Sequence, residues 1–481
     1  RVLMLDRNQH PRFAIGESST PLADLLMERM AEQFCIPELM KLSRWGIWKR
    51  ELPKVTCGKK RGFSYFQHQA GLEFTDTSNH ERSLLVAASV NDEVSDTHWL
   101  RSETDQWLFD LARQYGTGFQ LVERIEKAQE LDDGWRLTFR CDGEARSITA
   151  GCVVDASGAG GVLPSLLGLQ SCTSQMRTNS SALFGHFANV LPMSSVLDRQ
   201  GQRGELLPDP FNCDDAAQHH LIDEGWVWML RFDHGLTSVG AVMDRSVEGS
   251  VHTMLPCEAW GQLISKYPTF AALMGNAELV APTKDNETQL GSIQRVSRCY
   301  ERAGGRNWFL LPSTAGIVDP LHSTGIAHSL VGVQRVVNML LGQQGLEPHE
   351  QMPHAEFYSR SVVQEVLWID RIVACAYRAK KLSFEWFYAA CCLYFLPAIE
   401  NERALYEENQ IRHGFLSCGG SFYDQLLAWF ECKTEELECS AHETRIQDAV
   451  EQFRRKIESR NVAGLLDPSN RNRVARSTAP K

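Results

Sequence analysis

The chain has 481 residues, 43% of them hydrophobic, and its 49 Lys and Arg against 60 Asp and Glu give a formal net charge of −11 at pH 7. This length and hydrophobic content predict a globular protein with two or three lobes. The negative balance and the lack of a long basic stripe argue against a nucleic-acid-binding protein.

The cysteine pattern and the hydropathy exclude further classes. The 14 cysteines include no CxxC pair, so we predict no metal site and no redox dithiol, and we expect reduced core thiols. No run approaches about 18 consecutive apolar residues and the start does not resemble a signal peptide, so we expect neither membrane insertion nor export. These features predict a soluble, cytoplasmic protein.

The first predicted strand is RVLMLD, which ends in Asp6. In a dinucleotide-binding βαβ unit, the second strand ends in an acid that accepts hydrogen bonds from the adenosine ribose. The strand, GxGxxG turn and helix that precede such a strand are not in this sequence. We therefore expect a fragment that lacks roughly 25 to 30 residues of the unit.

The next segment, HPRFAIGESSTP, leads into a predicted helix. Gly16 and Glu17 stand just before LADLLMERMAEQF, whose apolar residues recur at helical spacing. Thr20 fits the cap position of that helix. The segment supports the same dinucleotide-binding interpretation as the strand that ends in Asp6.

The segment CGKKRGFSYF puts three cations beside an alternating aromatic stretch. Composition alone favours a basic loop that feeds an ordinary strand. If the segment is one strand, its side chains alternate between two faces, so the basic run is not buried as a block. One face then holds Lys60, Gly62 and Ser64, and the other holds Lys59, Arg61 and Phe63.

Two later segments fit a large ligand. Arg101 precedes a predicted amphipathic helix. The segment ITAGCVVDASGAGG is an apolar strand that breaks into small residues from Asp155 to Gly161. Small residues are needed where the backbone approaches a ligand closely.

The segment DEGWVWMLRFD predicts a strand with two tryptophans. Trp226 and Trp228 are two residues apart, so on a strand they share a face and can form one aromatic wall. Two core tryptophans on an ordinary strand would give the same pattern.

The segment LLPSTAGIVDPLHSTGIAHSLVGVQRV predicts a short strand, a turn with Asp319 and Gly325, and an amphipathic helix. A helix N-terminus presents free amides and a partial positive charge, which suits an anionic ligand. An ordinary helix cap after a strand would explain the segment if it stood alone.

The chain from about Gln343 is predicted to be helical. The segment SFEWFYAACCLYFLPAIENERALY predicts either a helix packed on the core, which we favour, or the lining of an aromatic pocket. The segment RIQDAVEQFRRKIESR predicts a docking helix, because its apolar residues form one stripe. That stripe comprises Ile446, Val450, Phe453 and Ile457.

In this order, the motifs resemble those of the flavin-dependent halogenases, especially those acting on phenols and pyrroles, within the flavoprotein monooxygenase superfamily. The resemblance runs from Arg1 to about Gly342. It implies an α/β protein with a glutathione-reductase-like FAD-binding fold, an inserted β-sheet substrate region and a helical C-terminal part. The implied limits are 1–170 and 285–342 for the FAD module, 171–284 for the sheet and 343–481 for the helical part.

The resemblance also implies a role for each motif. Lys60 stands where the halogenases keep an indispensable lysine, and Trp226 and Trp228 stand where they separate the flavin from the organic substrate. The implied halide-binding residues are Ser323, Thr324 and Gly325, and the implied FAD-binding residues are Asp6, Gly16, Glu17, Arg101, Asp155, Gly158, Asp319, Gly325 and Ile326.

The implied reaction is FADH2- and oxygen-dependent halogenation, with chloride or bromide, of an electron-rich phenol or pyrrole. The substrate is free or tethered to a carrier protein, in antibiotic or other secondary metabolism. Desolvation should lower the pKa of Lys60. The sequence leaves open whether the amine forms a haloamine or the ammonium polarises hypohalous acid. Because no second GxGxxG marks a nicotinamide site, FADH2 is expected from a separate reductase.

Some positions depart from the family pattern. Pro312 and Ser313 stand where flavoprotein hydroxylases carry Gly and Asp, and Arg231 replaces an expected proline. His322 replaces the Glu of tryptophan halogenases, which argues against free tryptophan as the substrate. Arg231 and His322 favour an alternative, a flavin monooxygenase that hydroxylates or epoxidises without halide, whereas Lys60 and the tryptophan pair disfavour it. A second alternative is a flavin-binding accessory protein or a non-catalytic relic.

Overall fold

The computed structural model describes residues 1–199, 209–247, 254–284, 287–342, 354–439 and 443–475. The helices are α1 (Pro21–Gln33), α2 (Trp45–Glu51), α3 (Arg101–Gln114), α4 (Val162–Leu167), α5 (Met193–Arg199), α6 (Pro256–Lys266), α7 (Pro268–Met274), α8 (Pro312–Ala315), α9 (Gly325–Leu341), α10 (His354–Leu382), α11 (Phe384–Glu408), α12 (Ser421–Cys439) and α13 (Glu443–Ile457). The strands are β1 (Leu3–Asp6), β2 (Cys57–Lys60), β3 (Gly62–Gln67), β4 (Ser83–Ala87), β5 (Asp96–Trp99), β6 (Gly118–Leu121), β7 (Arg124–Leu131), β8 (Gly134–Cys141), β9 (Glu144–Ala150), β10 (Val153–Asp155), β11 (Ser180–Ala188), β12 (Ala217–Ile222), β13 (Gly225–Arg231), β14 (Thr237–Asp244), β15 (Glu278–Ala281), β16 (Thr283–Lys284), β17 (Glu287–Thr288), β18 (Gly291–Ile293), β19 (Arg298–Cys299), β20 (Gly304–Gly305), β21 (Trp308–Leu310), β22 (Gly316–Ile317) and β23 (Arg473–Val474).

The largest sheet has nine strands in the order β15, β11, β14, β13, β12, β3, β4 and β23, with β18 also paired to β11. Neighbouring strands are antiparallel except for two parallel pairs, β3 with β12 and β4 with β23. Because β3, β4 and β23 come from outside residues 171–284, the sheet is assembled from three parts of the chain. The predicted domain limits stay a prediction.

Both faces of this sheet are buried. Side chains alternate along β13, so Trp226 and Trp228 point into one hydrophobic cluster, and Val227 and Met229 point into the other. The tryptophan face is covered by α1 and by α9 to α13, and the opposite face by α5, α6 and α7. The predicted tryptophan strand with a shared face is therefore confirmed.

Two parallel strand pairs form the part of the fold that places the ligand-type turns. Strand β1 pairs with β6, and β10 pairs with β21. The turn at 155–161 follows β10, and the segment that leads to α9 follows β21. In open α/β sheets, ligands bind beyond the carboxyl ends of parallel strands. The fold thus brings two of the selected segments to one such edge.

The C-terminal part is helical, as predicted. Helix α11 begins after Ser383, whose hydroxyl accepts a hydrogen bond from the Trp386 amide, and it is buried on most sides by α10, α12 and α13. The predicted stripe of α13 is buried. Within the described ranges, no helix combines the length and the apolar character that a bilayer crossing requires. The mixed α/β class with a large sheet and a helical C-terminal part is confirmed.

The basic segment is divided between two sheets, which the sequence did not predict. Strand β2 pairs with β5 in a small separate sheet, whereas β3 belongs to the large sheet. The chain bends at Arg61, whose amide donates to the Asp215 carbonyl instead of continuing the ladder of β2. Phe63 consequently lies beside Lys60, so the prediction that they occupy opposite faces of one strand is wrong.

Candidate active site

Lys60 is fully buried at the end of β2, as predicted. Its ammonium donates a hydrogen bond to the Ser19 carbonyl and lies 4.2 Å from the centre of the Phe63 ring. Burial lowers the pKa of Lys60 to about 8, although the nearby Asp96 carboxylate acts in the opposite direction. Both the amine and the ammonium are therefore populated near neutral pH.

The neighbouring cations have a different environment. The Lys59 ammonium lies 2.7 Å from an Asp92 carboxylate oxygen and 3.1 Å from one of Asp215. Arg61 also binds Asp92, at 2.7 Å. These ion pairs hold Lys59 and Arg61 near the surface, so Lys60 is the single cation of this run that the fold directs inward.

A pocket adjoins Phe63 between α11 and strands β3 and β4. It contains about 430 Å³ of empty space, part of it open to solvent. Apart from the Glu402 carboxylate and the Tyr394 hydroxyl, its lining side chains are hydrocarbon, which suits an aromatic ring. The lining residues are Pro21, Phe63, Val86, Ala87, Ala88, Tyr394, Phe395, Ala398, Ile399, Glu402 and Ala463.

The loop that precedes α9 presents an open helix N-terminus. Thr324 is the N-terminal cap residue, and its side chain forms no capping hydrogen bond. A Cβ built on Gly325 would meet no atom within 4 Å, so there is open space beside the first turn. Ser323 adopts a left-handed conformation with φ of 54°, which is uncommon outside glycine. The first-turn amides of α9 thus face room for a ligand.

His322 connects this loop to the pocket. Its ring stacks on Tyr394 with centroids 4.7 Å apart and an interplanar angle of 2°. The Tyr394 and Phe63 ring centroids are 5.9 Å apart, and Phe63 in turn contacts Lys60. One row of side chains therefore links the α9 loop to the buried amine.

The two tryptophans form one wall and are held by hydrogen bonds. Their ring centroids are 6.1 Å apart. The Trp226 indole donates to Asp319 at 3.2 Å, and the Trp228 indole donates to the Ser238 hydroxyl at 3.1 Å. Asp319 also accepts from the Tyr377 hydroxyl at 2.7 Å, and burial raises the pKa of its carboxyl to about 6. Asp319 therefore anchors Trp226 to the segment before α9.

Glu17 is buried, and its carboxylate is bound by protein groups. One oxygen lies 2.5 Å from His186 Nε2, and the other accepts a hydrogen bond from Ser238 at 2.7 Å. Because Ser238 also binds Trp228, the GES turn is connected to the tryptophan wall. In the structure, Glu17 thus holds the wall in position.

Arg101 orders the turn at Gly16. Its guanidinium donates to the carbonyls of Ile15 and Gly16 at 3.1 and 3.0 Å, and the Asp105 carboxylate holds its other side. Gly16 has φ of 94°, a conformation that favours glycine. Arg101 and Gly16 therefore form one structured turn.

The small-residue turn after β10 is also ordered by its acid. Asp155 accepts hydrogen bonds from the amides of Ser157 and Leu163, each at 2.7 Å. Gly158 has φ of 59°, and its amide donates to the Thr314 hydroxyl at 2.9 Å. This contact joins the turn to the segment that leads into α9.

Asp6 and Ile326 complete the predicted set. Asp6 ends β1 and is partly exposed; its carboxylate accepts from the Arg12 guanidinium at 2.9 Å and from the Asn8 amide at 3.1 Å. Ile326 is partly buried in the first turn of α9, where it packs against two hydrophobic clusters. The loop that carries Ile326 adjoins the row of side chains that ends at Lys60.

Buried histidines surround Lys60, and no motif pointed to them. His98 on β5 and His219 on β12 are buried and lie close enough to Lys60 to feel its charge. Burial lowers the pKa of each to about 3. The sequence AQHHLI has no clear alternation and no motif that indicates what its histidines face.

The buried histidines predict an acid-sensitive fold. Below pH 6.5 each of these histidines is protonated in the unfolded chain but stays neutral in the folded protein. The unfolded state then binds more protons, so the free energy of unfolding is highest above pH 6.5 and decreases as the pH falls. We expect a loss of up to about 1.4 kcal/mol per pH unit for each histidine below that value. Calorimetric unfolding at about pH 7 and about pH 5.5 measures it. The group comprises His68, His98, His219 and His322, each with a pKa near 3.

A His68→Gln variant should show a weaker pH dependence, because one of these four groups is removed. The matched control is His413→Gln, which changes an exposed histidine. A wild-type stability that is flat across the interval would contradict the prediction.

The chain is similar in sequence to two named halogenases. The chain is 26% identical over 337 residues to the tetracycline 7-halogenase of Kitasatospora aureofaciens, a match that covers 68% of the chain and 57% of that relative. It is 24% identical over 386 residues to the monodechloroaminopyrrolnitrin halogenase PrnC of Pseudomonas fluorescens, covering 79% of the chain and 64% of that relative. The chain is a relative of the flavin-dependent halogenases. No protein-family model matches it.

A solved halogenase structure has the same fold. The crystal structure of the halogenase PltM in complex with phloroglucinol and FAD superposes with a TM-score of 0.81 at 21% identity, covering 98% of this chain and 94% of that one. The predicted resemblance to flavin-dependent halogenases is thus confirmed. The matches span 57% and 64% of the lengths of the two curated relatives.

The structure accounts for one departure from the halogenase pattern. Arg231 lies on the face of β13 opposite to the tryptophans, because it alternates with them. Its guanidinium lies 3.2 Å from Asp214 and donates to the carbonyls of Val190 and Leu191. Arg231 therefore anchors the end of the strand and does not replace part of the wall, which removes one argument for a hydroxylase.

Proposed function

We propose that this protein is an FADH2- and oxygen-dependent halogenase that transfers chlorine or bromine to an electron-rich aromatic substrate, a phenol or a pyrrole. The observation that carries the proposal is a fully buried lysine against Phe63 of a largely apolar pocket, linked through Tyr394 and His322 to an open helix N-terminus. Its relatives with this fold are named as halogenases. A reductase as the source of FADH2, a cytoplasmic location and a carrier-bound form of the substrate are further parts of the proposal.

The residues of the site fit a bound FAD in a glutathione-reductase-like module. Open space at Gly325 and uncapped amides at the start of α9 suit the pyrimidine edge of the ring. The turns at Gly16 and Gly158 have backbone conformations that let a large ligand approach closely. Asp6 is partly exposed at the end of a parallel strand, where it can meet a ribose. When bound, FADH2 would reduce oxygen, so that FADH2, oxygen, halide and one proton give FAD, hypohalous acid and water.

We assign the halide to the loop of Ser323, Thr324 and Gly325, where amides of the α9 N-terminus provide partial positive charge. Trp226 and Trp228 form the wall between the flavin compartment and the substrate. Lys60 holds hypohalous acid at its terminal nitrogen, either as a haloamine or by a hydrogen bond from the ammonium. A pKa near 8 makes both forms accessible.

The remaining alternative is a flavin monooxygenase that inserts oxygen without halide. His322 stands where tryptophan halogenases carry Glu, and this difference is the remaining argument for a monooxygenase without halide. It gives no role to a lysine that is buried at the cost of desolvation. A hydroxylase would therefore be indifferent to replacement of Lys60.

The deciding experiment supplies the full-length gene product with FADH2 from a separate reductase, air, bromide and a panel of phenols, pyrroles and indoles. Mass spectrometry of the products then distinguishes the functions. We expect bromine incorporation, recognised by its isotope pattern, which disappears when bromide is omitted. Products that gain oxygen only would establish the hydroxylase instead.

The tryptophan wall can be tested at Gly240. A Cβ at this position would lie 2.2 Å from the Trp228 ring, so Gly240→Ala must displace the indole. We expect the yield of halogenated product per FADH2 oxidised to fall on the order of tenfold, because the wall no longer separates the two compartments. The measurement compares product by mass with FADH2 consumption by absorbance.

The control for Gly240→Ala is Gly151→Ala, since a Cβ at Gly151 meets no atom within 4 Å. Unchanged coupling in Gly240→Ala, with a shifted tryptophan fluorescence spectrum, would show that the wall has no role in product yield.

A further inference from the structure

The terminal nitrogen of Lys60 lies among groups that stabilise a positive charge. It donates a hydrogen bond to the Ser19 carbonyl, and it lies 4.2 Å from the centre of the Phe63 ring. A carbonyl oxygen only accepts hydrogen bonds, and the face of an aromatic ring attracts a cation. The contacts of this nitrogen therefore favour the ammonium, whereas burial by itself favours the neutral amine.

Asp96 lies directly opposite Lys60 on the neighbouring strand. The antiparallel register of β2 and β5 pairs the two residues, and both are fully buried. Directly opposed side chains leave a sheet on the same face, with their Cβ atoms about 4.5 to 5.5 Å apart. The backbone therefore holds the Asp96 carboxylate on the same side of the small sheet as the Lys60 nitrogen, and burial leaves little solvent to screen their attraction.

Two further carboxylates act on Lys60 from other elements. Asp24 lies in the first turn of α1, and Glu402 lies on α11. Both favour the ammonium, as Asp96 does, and Asp96 has the largest effect of the three. Asp24 also lies beside the positive end of its own helix, and Glu402 lines the pocket. Asp96 is thus the carboxylate that strand pairing fixes opposite Lys60.

The two histidines near Lys60 add no charge to this group. His98 projects from β5 and His219 from β12, and burial lowers the pKa of each to about 3. Both rings are therefore neutral near pH 7. The charge of the Lys60 ammonium is balanced by carboxylates, and the histidines do not compete for that role.

We propose that Asp96 is a positioning residue: its charge keeps Lys60 in the ammonium form, so that hypohalous acid is held at this nitrogen by a hydrogen bond and not as a haloamine. This inference rests on the proposed function, and it selects one of the two roles that were left open there. A haloamine forms when the lone pair of a neutral amine attacks the halogen and water leaves. An ammonium has no lone pair for this attack.

The halogen transfer balances with the ammonium as the acid. A ring carbon of the substrate forms a bond to the halogen while the oxygen–halogen bond breaks. The departing oxygen takes a proton from Lys60 and leaves as water. The ring then loses its C–H proton, and one proton returns to the Lys60 amine. Asp96 neither gives nor takes a proton, but it stabilises the charged form of Lys60 before and after the step.

The first measurement follows the proton of Lys60 without turnover. Nuclear magnetic resonance of the FAD-loaded protein, labelled with carbon-13 at the lysine Cε, gives the pKa of Lys60 from the resonance that Lys60→Met lacks. We expect a pKa of about 8 in wild type. In Asp96→Asn it should fall by at least about one unit, because an opposite charge is removed. Asp96→Glu keeps the charge and should stay within about half a unit of wild type.

The second measurement is the yield of brominated product per FADH2 oxidised, between about pH 6 and about pH 9. If the ammonium is the active form, the yield decreases as the pH rises through the pKa of Lys60. In Asp96→Asn this decrease should move to lower pH by the shift that the resonance shows. The matched control is Asp92→Asn, which removes a carboxylate from Lys59 and should leave the profile in place.

Three results would overturn the inference. One is a yield that increases with pH through the pKa of Lys60, because the neutral amine would then be the active form. The others are a pKa or a pH profile that Asp96→Asn does not move, and a wild-type pKa below about 6, which needs no variant. Oxygenated products without bromine would reject the proposed function instead, while the resonance measurement, which needs no product, still tests the effect of Asp96 on Lys60.

Discussion

Replacement of Lys60 by methionine is expected to abolish halogenated product while FADH2 oxidation continues. Methionine has a similar length and fills the same buried space, but it has no nitrogen to hold hypohalous acid. We expect the rate of product formation to fall by at least on the order of a thousandfold. Mass analysis of the product, with FADH2 consumption followed in parallel, measures both quantities in one reaction.

The matched control is Lys59→Met, which removes the adjacent ammonium. Lys59 is held by Asp92 and Asp215 near the surface, so its loss should leave product formation within a few-fold of wild type. Because Lys60→Met leaves the buried Asp96 carboxylate without a nearby cation, the variant should melt at a lower temperature than wild type, and product formation is compared at a temperature at which both are folded. Product formation by Lys60→Met at a wild-type rate would eliminate the lysine mechanism.

Gly58→Ala is expected to be the most damaging small substitution near the site. A Cβ at Gly58 would lie 1.8 Å from the Arg231 carbonyl oxygen, a backbone atom that cannot rotate away. The strand that ends in Lys60 and the strand with the tryptophans would have to separate. We expect a loss of about 3 kcal/mol or more in the free energy of unfolding, together with loss of product. Urea unfolding followed by tryptophan fluorescence measures the first effect.

Gly261→Ala provides the comparison within the same chain. Gly261 lies exposed within α6, and a Cβ there meets no atom within 4 Å. Alanine should therefore stabilise the helix by about 0.5 to 1 kcal/mol. If Gly58→Ala unfolds at the wild-type urea concentration, the close packing of the two strands is not required.

Sequence patterns correctly predicted the helix caps, helix faces and strands that depend only on neighbouring residues. The Thr20 hydroxyl oxygen accepts a hydrogen bond from the Ala23 amide in the first turn of α1, and the apolar stripe of α13 matches its buried face. The tryptophan strand follows from alternation alone. In each case, the information lies within one turn or one strand of the residue concerned. The amphipathic prediction fails for α9, which buries His328, Gln334, Arg335 and Asn338 while Leu340 is exposed.

Non-local contacts account for what the sequence did not predict. The bend at Arg61 is set by a hydrogen bond to Asp215, which is far away in the chain. Alternation predicts that the two adjacent lysines differ in burial, but it does not predict that Asp92 and Asp215 hold Lys59 near the surface. The pocket forms only where α11 packs across β3 and β4. The sequence therefore did not predict that Tyr394 of α11 stacks on His322.

The lining of the pocket includes three alanines, Ala88, Ala398 and Ala463. These methyl groups stand on firm secondary structure or next to it, and they adjoin the ring-lined interior rather than the amine itself. Enlarging any one of them would narrow the entrance while Lys60 and His322 keep their surroundings. Single substitutions at these alanines can therefore change which aromatic substrates related proteins accept, without disturbing the reactive groups.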